Sequence, residues 1–329
     1  MQAAVLHDFG KALSIEDVPL PAPGPGEALL RVTACGVCHS DLHVVDGDWP
    51  RLKPVTRIPL IPGHEVVGVV EKLGDGVTEL AVGQRGGVPW LHWACGTCEY
   101  CAAGRETLCS KQAITGVTVN GGFATHMLAK ASHVARVPNS VSDVDAAPLL
   151  CAGVTVYKAL KSAGLEAGQQ AVIYGVGGLG HLAIQVARAK GAEVAAVDLA
   201  EDKLALARES GATWTGTAKP PRGHVVLVAA GSAKAYEAAF ASMRKGGTLV
   251  VVGMPPEPVP LSAFHMVSGE YRVIGSAVGT REDLRETLEL AARGLLRSHV
   301  ATAPLVEAPS ILEKLRAGSI TGRVVLVNA

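Results

Sequence analysis

From about residue 153 the chain alternates between short apolar runs and amphipathic stretches, and this alternation restricts the fold more than any other feature. VTVYKALKSA reads as a helix, QAVIYG as a buried strand, HLAIQVARAKG as a helix, EVAAVDL as a strand and AEDKLALARESG as a further helix. The pattern continues through HVVLVAA, the helical SAKAYEAAFASMRK, and the strands TLVVVG and YRVIGSAVG. Strands joined through helices run parallel, because the crossover brings the chain back to start each strand from the same end. The expected fold class is α/β, with a doubly wound parallel sheet.

Up to about residue 150 the texture is β-rich: EALLRVTACGV and EVVGVVEKLG alternate apolar and polar residues, and PAPGPGE and GDG punctuate them. With 329 residues the chain exceeds one ordinary core, so two domains are expected. REDLRETLELAARGLL places Leu284, Leu288, Ala291 and Leu295 on one helical face, after which ATAPLV and GRVVLV return to strand texture. This tail is too short to fold alone. It is expected to pack on the amino-terminal half, giving one domain from 1–151 with 278–329 and a second from 152–277. The proline cluster PPEPVP at 255–260 marks a loop.

Composition narrows the function. Thirty basic residues balance thirty acidic ones without a block of like charge, which removes the electrostatic term that nucleic-acid binding needs. The first residues lack a secretory pattern, and no run of 18 apolar residues could span a bilayer. A cytoplasmic protein without a membrane partner, acting on a small molecule, is expected. In a reducing compartment, seven cysteines favour metal ligation over disulfides.

Cys95, Cys98, Cys101 and Cys109 fall within fifteen residues and can close a tetrahedron around one Zn²⁺, the alternative being disulfides. Cys35, Cys38 and Cys151 remain, with His39, His43 and His64, as candidates for a second site with an exchangeable position. Cys₂His is a known catalytic set, and Cys38, His64 and Cys151 would complete it. Cys35 reads as a small buried hydrophobe.

Gly175-Val176-Gly177-Gly178-Leu179-Gly180 fits G-x-G-x-x-G between an expected strand and helix, the setting in which a dinucleotide pyrophosphate meets a helix amino terminus. Asp198 ends the next strand, where a carboxylate accepts hydrogen bonds from ribose hydroxyls. It would repel a 2′-phosphate, and neither Leu199 nor Ala200 supplies a cation, so NAD is preferred over NADP. Lys203 lies within reach of the same ribose.

GVCHSDLH, GHEVVGVV, CGTCEYCAAGRETLC, CAGVTVYKAL, GVGGLG with Asp198, and GRVVLV occur in one order, and the whole chain resembles the zinc-dependent medium-chain alcohol dehydrogenases, in particular the microbial ethanol-using type. The resemblance implies a GroES-like catalytic domain beside a Rossmann domain, two zinc ions per subunit and NAD. It assigns Cys38, His64 and Cys151 to the catalytic zinc and Cys95, Cys98, Cys101 and Cys109 to the structural one. Glu65 becomes a carboxylate that can approach the metal, Asp41 the group orienting the ligating histidine, and Ser40 and His43 a proton relay. His39 and Arg323 would face the cofactor phosphates, Thr155 the nicotinamide, and Trp49 and Trp90 would line the pocket. The implied reaction is reversible hydride transfer between a small primary or secondary alcohol and NAD, giving aldehyde or ketone, by a homo-oligomer, tetramer or dimer. A polyol or larger-aldehyde dehydrogenase and a non-catalytic NAD-binding zinc protein are the competing readings. Departures from the family pattern are the short WTGTAKPPRGHVV segment, His224, and Gln84 with Gly86-Gly87, all expected to lie away from the metal site.

Overall fold

In the computed structural model, which describes residues 1–259 and 261–328, the eleven-residue strand Glu27–Val37 organises the first of two compact units. That unit comprises Met1–Cys151, Thr280–Ala292 and Val300–Ala329; the second comprises Ala152–Gly279 and Arg293–His299. No helix among the described residues is long and apolar enough to cross a membrane.

Glu27–Val37 is buried along most of its length and pairs antiparallel with Val66–Leu73, Arg323–Val327 and His126–Lys130. The strands Val300–Pro304, Arg323–Val327, Glu27–Val37, Val66–Leu73, Arg85–Val88 and Ala135–Arg136 follow one another across the sheet. Register is what matters for chemistry. Val324 pairs with Val37 on one side and Val66 with Cys35 on the other, so Arg323 and Glu65 flank the carboxyl end of the central strand, where Cys38 follows.

The second unit is a six-stranded parallel sheet in the order Trp214–Gly216, Glu193–Val197, Gln170–Tyr174, Gly223–Val228, Met243–Val251, Arg272–Gly275. Its central strands are covered on both faces, which is why they read as continuous apolar runs. The helices Ala152–Ser162, Gly180–Ala189 and Glu201–Glu209 fall where the periodicity placed them.

Four expectations change. Ser242, read as helical, caps the helix Ala233–Ala241, and Met243–Lys245, read as its end, open the strand Met243–Val251, because Met243 is fully buried in the core and pairs with Gly223. The edge strand Trp214–Gly216, inside the segment noted only for its shortness, had no alternating pattern to betray it. The helix Arg281–Ala292 stops before Leu295, and left-handed Gly294 turns the chain so that Leu295 is 40% exposed while Leu296 is buried. Residues 293–299, grouped with the tail by sequence, pack in the second unit instead: Gln185 bonds both the carbonyl and the N–H of Arg297 at 2.9 Å. Pro260, the last residue of the proline cluster, lies outside the described residues; Pro255–Val259 are loop. His224, one of the departures from the family pattern, accepts the Gln170 N–H at 2.9 Å and so ties the starts of two neighbouring strands.

Candidate metal and cofactor sites

Cys38 follows the central strand and stands just before the helix His39–Asp46. Three residues into that turn, buried Asp41 collects three donors: Cys38 N–H at 2.9 Å, Gly63 N–H at 3.1 Å and His64 Nδ1 at 2.9 Å. A carboxylate only accepts, so Nδ1 carries the proton and Nε2 presents its lone pair. That Nε2 is buried with no hydrogen-bond partner, an expensive arrangement for a ring nitrogen unless something else uses the lone pair. Its neighbours supply the reason. The ligand atoms of Cys38, His64, Glu65 and Cys151 all lie within 4.8 Å of one another. Two sulfurs and an imidazole nitrogen that close, all buried, fit the Cys₂His donor set of a catalytic zinc.

Burial and neighbouring charges shift the members of the cluster in different directions. The Cys38 thiol is held well below its ordinary range by the hydrogen bond from Cys151, helped by the charge of Arg323, while Cys151, the donor of that bond, is pushed up. Burial opposes charge on His64, but the Asp41 carboxylate outweighs it and raises the imidazole. Glu65 is raised to about 7 by burial, against the pull of Arg323. Arg323 is paired with Glu65, and Gly36 makes room for this contact: a Cβ there would run into the Glu65 carboxyl group. The side chain assigned to cofactor phosphates is thus 5% exposed and turned onto a carboxylate. The register of two strands puts it there.

Around the cluster, Ser40 Oγ lies 3.6 Å from Cys38 Sγ. The Trp90 ring meets His64 edge-on with centroids 4.8 Å apart, and Trp49 meets Trp90 at 6.3 Å. His43 stacks on Trp49 at 4.8 Å and bonds Asp48 through Nδ1 at 2.9 Å. His39 is exposed at the first turn of its helix. Gly87 packs against Leu150: a Cβ there would come within 2.7 Å of that side chain.

The four-cysteine loop is built differently. Cys95 and Cys101 sulfurs are 3.9 Å apart and Cys98 and Cys101 sulfurs 3.5 Å, and all seven cysteines of the chain are free thiols. A tetrahedron with zinc–sulfur bonds of about 2.3 Å has edges of about 3.8 Å, so these spacings suit one ion and exclude disulfide bonds of about 2.05 Å. Backbone N–H groups of Thr97 and Cys98 lower Cys95 to about 6, whereas desolvation and neighbouring thiols push Cys101 to about 12. Buried His133 accepts the Ala94 N–H at 3.1 Å and anchors the loop's start, and Arg281 clamps Glu106, inside the loop, through its backbone N–H at 2.7 Å and its guanidinium at 2.9 Å.

The alcohol dehydrogenase GroES-like domain model matches residues 24–139 and the zinc-binding dehydrogenase model matches residues 178–293. An alcohol dehydrogenase of Geobacillus stearothermophilus is 47% identical over 337 aligned positions, covering 99% of both chains. The chain belongs to the zinc-binding alcohol dehydrogenase family. Among solved structures of this family type, the alcohol dehydrogenase of the hyperthermophilic archaeon Aeropyrum pernix superposes with TM-score 0.91 at 34% identity over all of both chains. An acetophenone reductase from Geotrichum candidum, solved in complex with NAD, gives TM-score 0.92 at 31% identity, covering 99% of this chain and 97% of its own.

In the second unit of this family member, the glycine loop has a shape suited to a dinucleotide. Gly175 is left-handed (φ 90°), and a Cβ on it would lie 2.9 Å from the Ala230 nitrogen; a Cβ on Gly180 would strike the Gly175 carbonyl. A Cβ on Gly177 would meet nothing within 4 Å, leaving that backbone open to an approaching group, with Gly178 and Leu179 leading into the helix. Asp198 accepts Val176 N–H and Leu199 N–H, both at 2.7 Å, which fixes the carboxylate beside the loop. Lys203 sits half-buried on the next helix and Thr155 is buried on Ala152–Ser162. His181, which the sequence left outside the site, is wholly buried. Its Nε2 accepts the His299 N–H at 3.1 Å, so Nδ1–H donates to the Gly177 carbonyl at 2.8 Å and braces the loop. Gly36, Asp48 and His181 are the residues near these sites that sequence reading missed; only the HVVDGDW spacing carried a local hint of one of them.

Proposed function

We propose that this chain is an NAD-dependent zinc alcohol dehydrogenase, catalysing reversible hydride transfer between a small primary or secondary alcohol and NAD to give an aldehyde or ketone. The observation that carries the reading is the buried, unpartnered His64 Nε2 within 4.8 Å of the donor atoms of Cys38 and Cys151. Those three residues would hold one zinc and Cys95, Cys98, Cys101 and Cys109 a second. The catalytic ion supplies Lewis-acid polarisation of a substrate oxygen.

The rest is done by the chain itself. Asp41 fixes the tautomer and ring plane of His64, so the donor set is ordered before any substrate arrives. Ser40 takes the alcohol proton and His43 passes it outward. Trp49 and Trp90 limit bulk beside the donor set. Glu65, paired with Arg323, would stand as a further oxygen donor within reach of the ion. Gly175, Gly177, Gly178, Leu179 and Gly180 receive the pyrophosphate, with His39 toward its phosphates and Thr155 toward the nicotinamide. Asp198 and Lys203 hold the adenosine ribose, and the carboxylate favours NAD over NADP. A cytoplasmic homo-oligomer, tetramer or dimer, completes the reading, and light scattering of the purified protein checks its assembly.

The test is NADH formation by zinc-replete protein across alcohols of increasing size. Turnover that falls as bulk grows is expected. No NADH from any alcohol, with both zincs present, would leave a binding protein instead.

A further inference from the structure

Asp48 has no place in the reading above, yet it holds the group assigned to move the proton. His43 lies in the last turn of the helix His39–Asp46, and Gly47 caps that helix in the left-handed conformation (φ 66°). The cap reverses the chain, so Asp48 N–H bonds back to the His43 carbonyl at 3.3 Å. Its carboxylate thereby reaches His43 Nδ1, at 2.9 Å to one oxygen and 3.1 Å to the other. The next residue, Trp49, stacks on the same ring at an interplanar angle of 25°. One edge and one face of the imidazole are therefore held by two consecutive residues.

Resting on the proposed dehydrogenase reading, we infer that Asp48 is a positioning residue of the proton relay, fixing the His43 tautomer and orientation. A carboxylate accepts only, so Nδ1 carries hydrogen and Nε2 is left as the acceptor. A proton taken on Nε2 makes an imidazolium whose charge faces Asp48; water then takes that proton and the ring returns to its starting tautomer. For stability the pair counts for little, since both partners are substantially exposed. Its use is geometric. Oriented carboxylate–imidazole pairs hold a general base in the form that accepts from its other nitrogen.

Two readouts on the full chain test this. In [¹⁵N]histidine-labelled protein, with the His43 signals assigned by their loss in His43→Gln, Nδ1 is expected to be the protonated nitrogen in the wild type. Asp48→Ala should move the ring toward the other tautomer, and Asp48→Asn, whose amide oxygen still accepts, should largely keep it. In steady state, Asp48→Ala should lower kcat for alcohol oxidation about tenfold, below the full worth of a general base. KM for NAD and zinc content should stay unchanged, Asp48→Asn should recover most of the loss, and the same change in a His43→Gln background should cost nothing further. A wild-type ring protonated on Nε2, or an Asp48→Ala loss that persists undiminished without His43, overturns the assignment. Absence of NADH from wild-type protein would count against the dehydrogenase reading alone, because the tautomer still decides the role of Asp48.

Discussion

The two cysteine clusters of the first unit solve the same problem in opposite ways. Cys95, Cys98, Cys101 and Cys109 come from one loop and carry their spacing in the sequence. Cys38, His64, Glu65 and Cys151 come from the end of one strand, the start of a second and a helix junction, and the sheet register gathers their ligand atoms within 4.8 Å of one another. A local cluster needs only a loop of the right length. A dispersed one needs the whole unit folded first, and it can then impose an environment: a raised Glu65, a depressed Cys38, and a histidine fixed from behind by Asp41. Metal at the loop should therefore govern stability, and metal at the dispersed set should govern chemistry.

His64→Ala challenges that division most severely. It deletes one donor but leaves Asp41 the Cys38 and Gly63 N–H groups, so alcohol-dependent NADH formation should fall more than about 10³-fold while unfolding free energy falls by only about 1 kcal/mol. Kinetics and chemical denaturation measure both. Cys101→Ser should do the reverse, costing several kcal/mol of stability, on the order of 3, through loss of one zinc; turnover per folded molecule should remain within a few-fold of wild type. Equal losses of turnover in the two variants would erase the distinction. Asp41→Asn probes preorganisation: it keeps the size but replaces one acceptor oxygen with an amide, and zinc affinity or kcat should drop about 10- to 100-fold.

The smallest effect concerns acid. Burial pushes His133 and His92 down to about 4, so both stay neutral when folded while the unfolded chain binds protons near 6.5. Between those values the unfolded state holds more protons, and stability must fall as pH drops from about 6.5 toward 4. His133→Gln should flatten that slope, at some cost at neutral pH, because the Ala94 N–H loses its acceptor. Urea midpoints across this range provide the check; an unchanged slope would mean that His133 is not among the groups responsible.

Much of this molecule is legible in its residues where the controlling interaction is short in sequence. The parallel sheet follows from alternating texture, and the glycine loop announces itself between Gln170–Tyr174 and Gly180–Ala189. Contacts across the fold carry no such signal. The Arg323–Glu65 pair spans 258 positions and is set by how two strands flank Gly36, so a residue read as phosphate-facing is found on a carboxylate. Leu295 obeys helical spacing on paper, but Gly294 ends the helical path before it. Met243 follows a helix-forming run and enters a strand because the core there needs a large apolar side chain.

Zinc stoichiometry of purified, fully active protein tests the central claim most directly. Elemental analysis alongside protein concentration should return two ions per chain, falling to one in His64→Ala with the four-cysteine loop still loaded. Active wild-type protein holding a single ion in that loop would contradict the account.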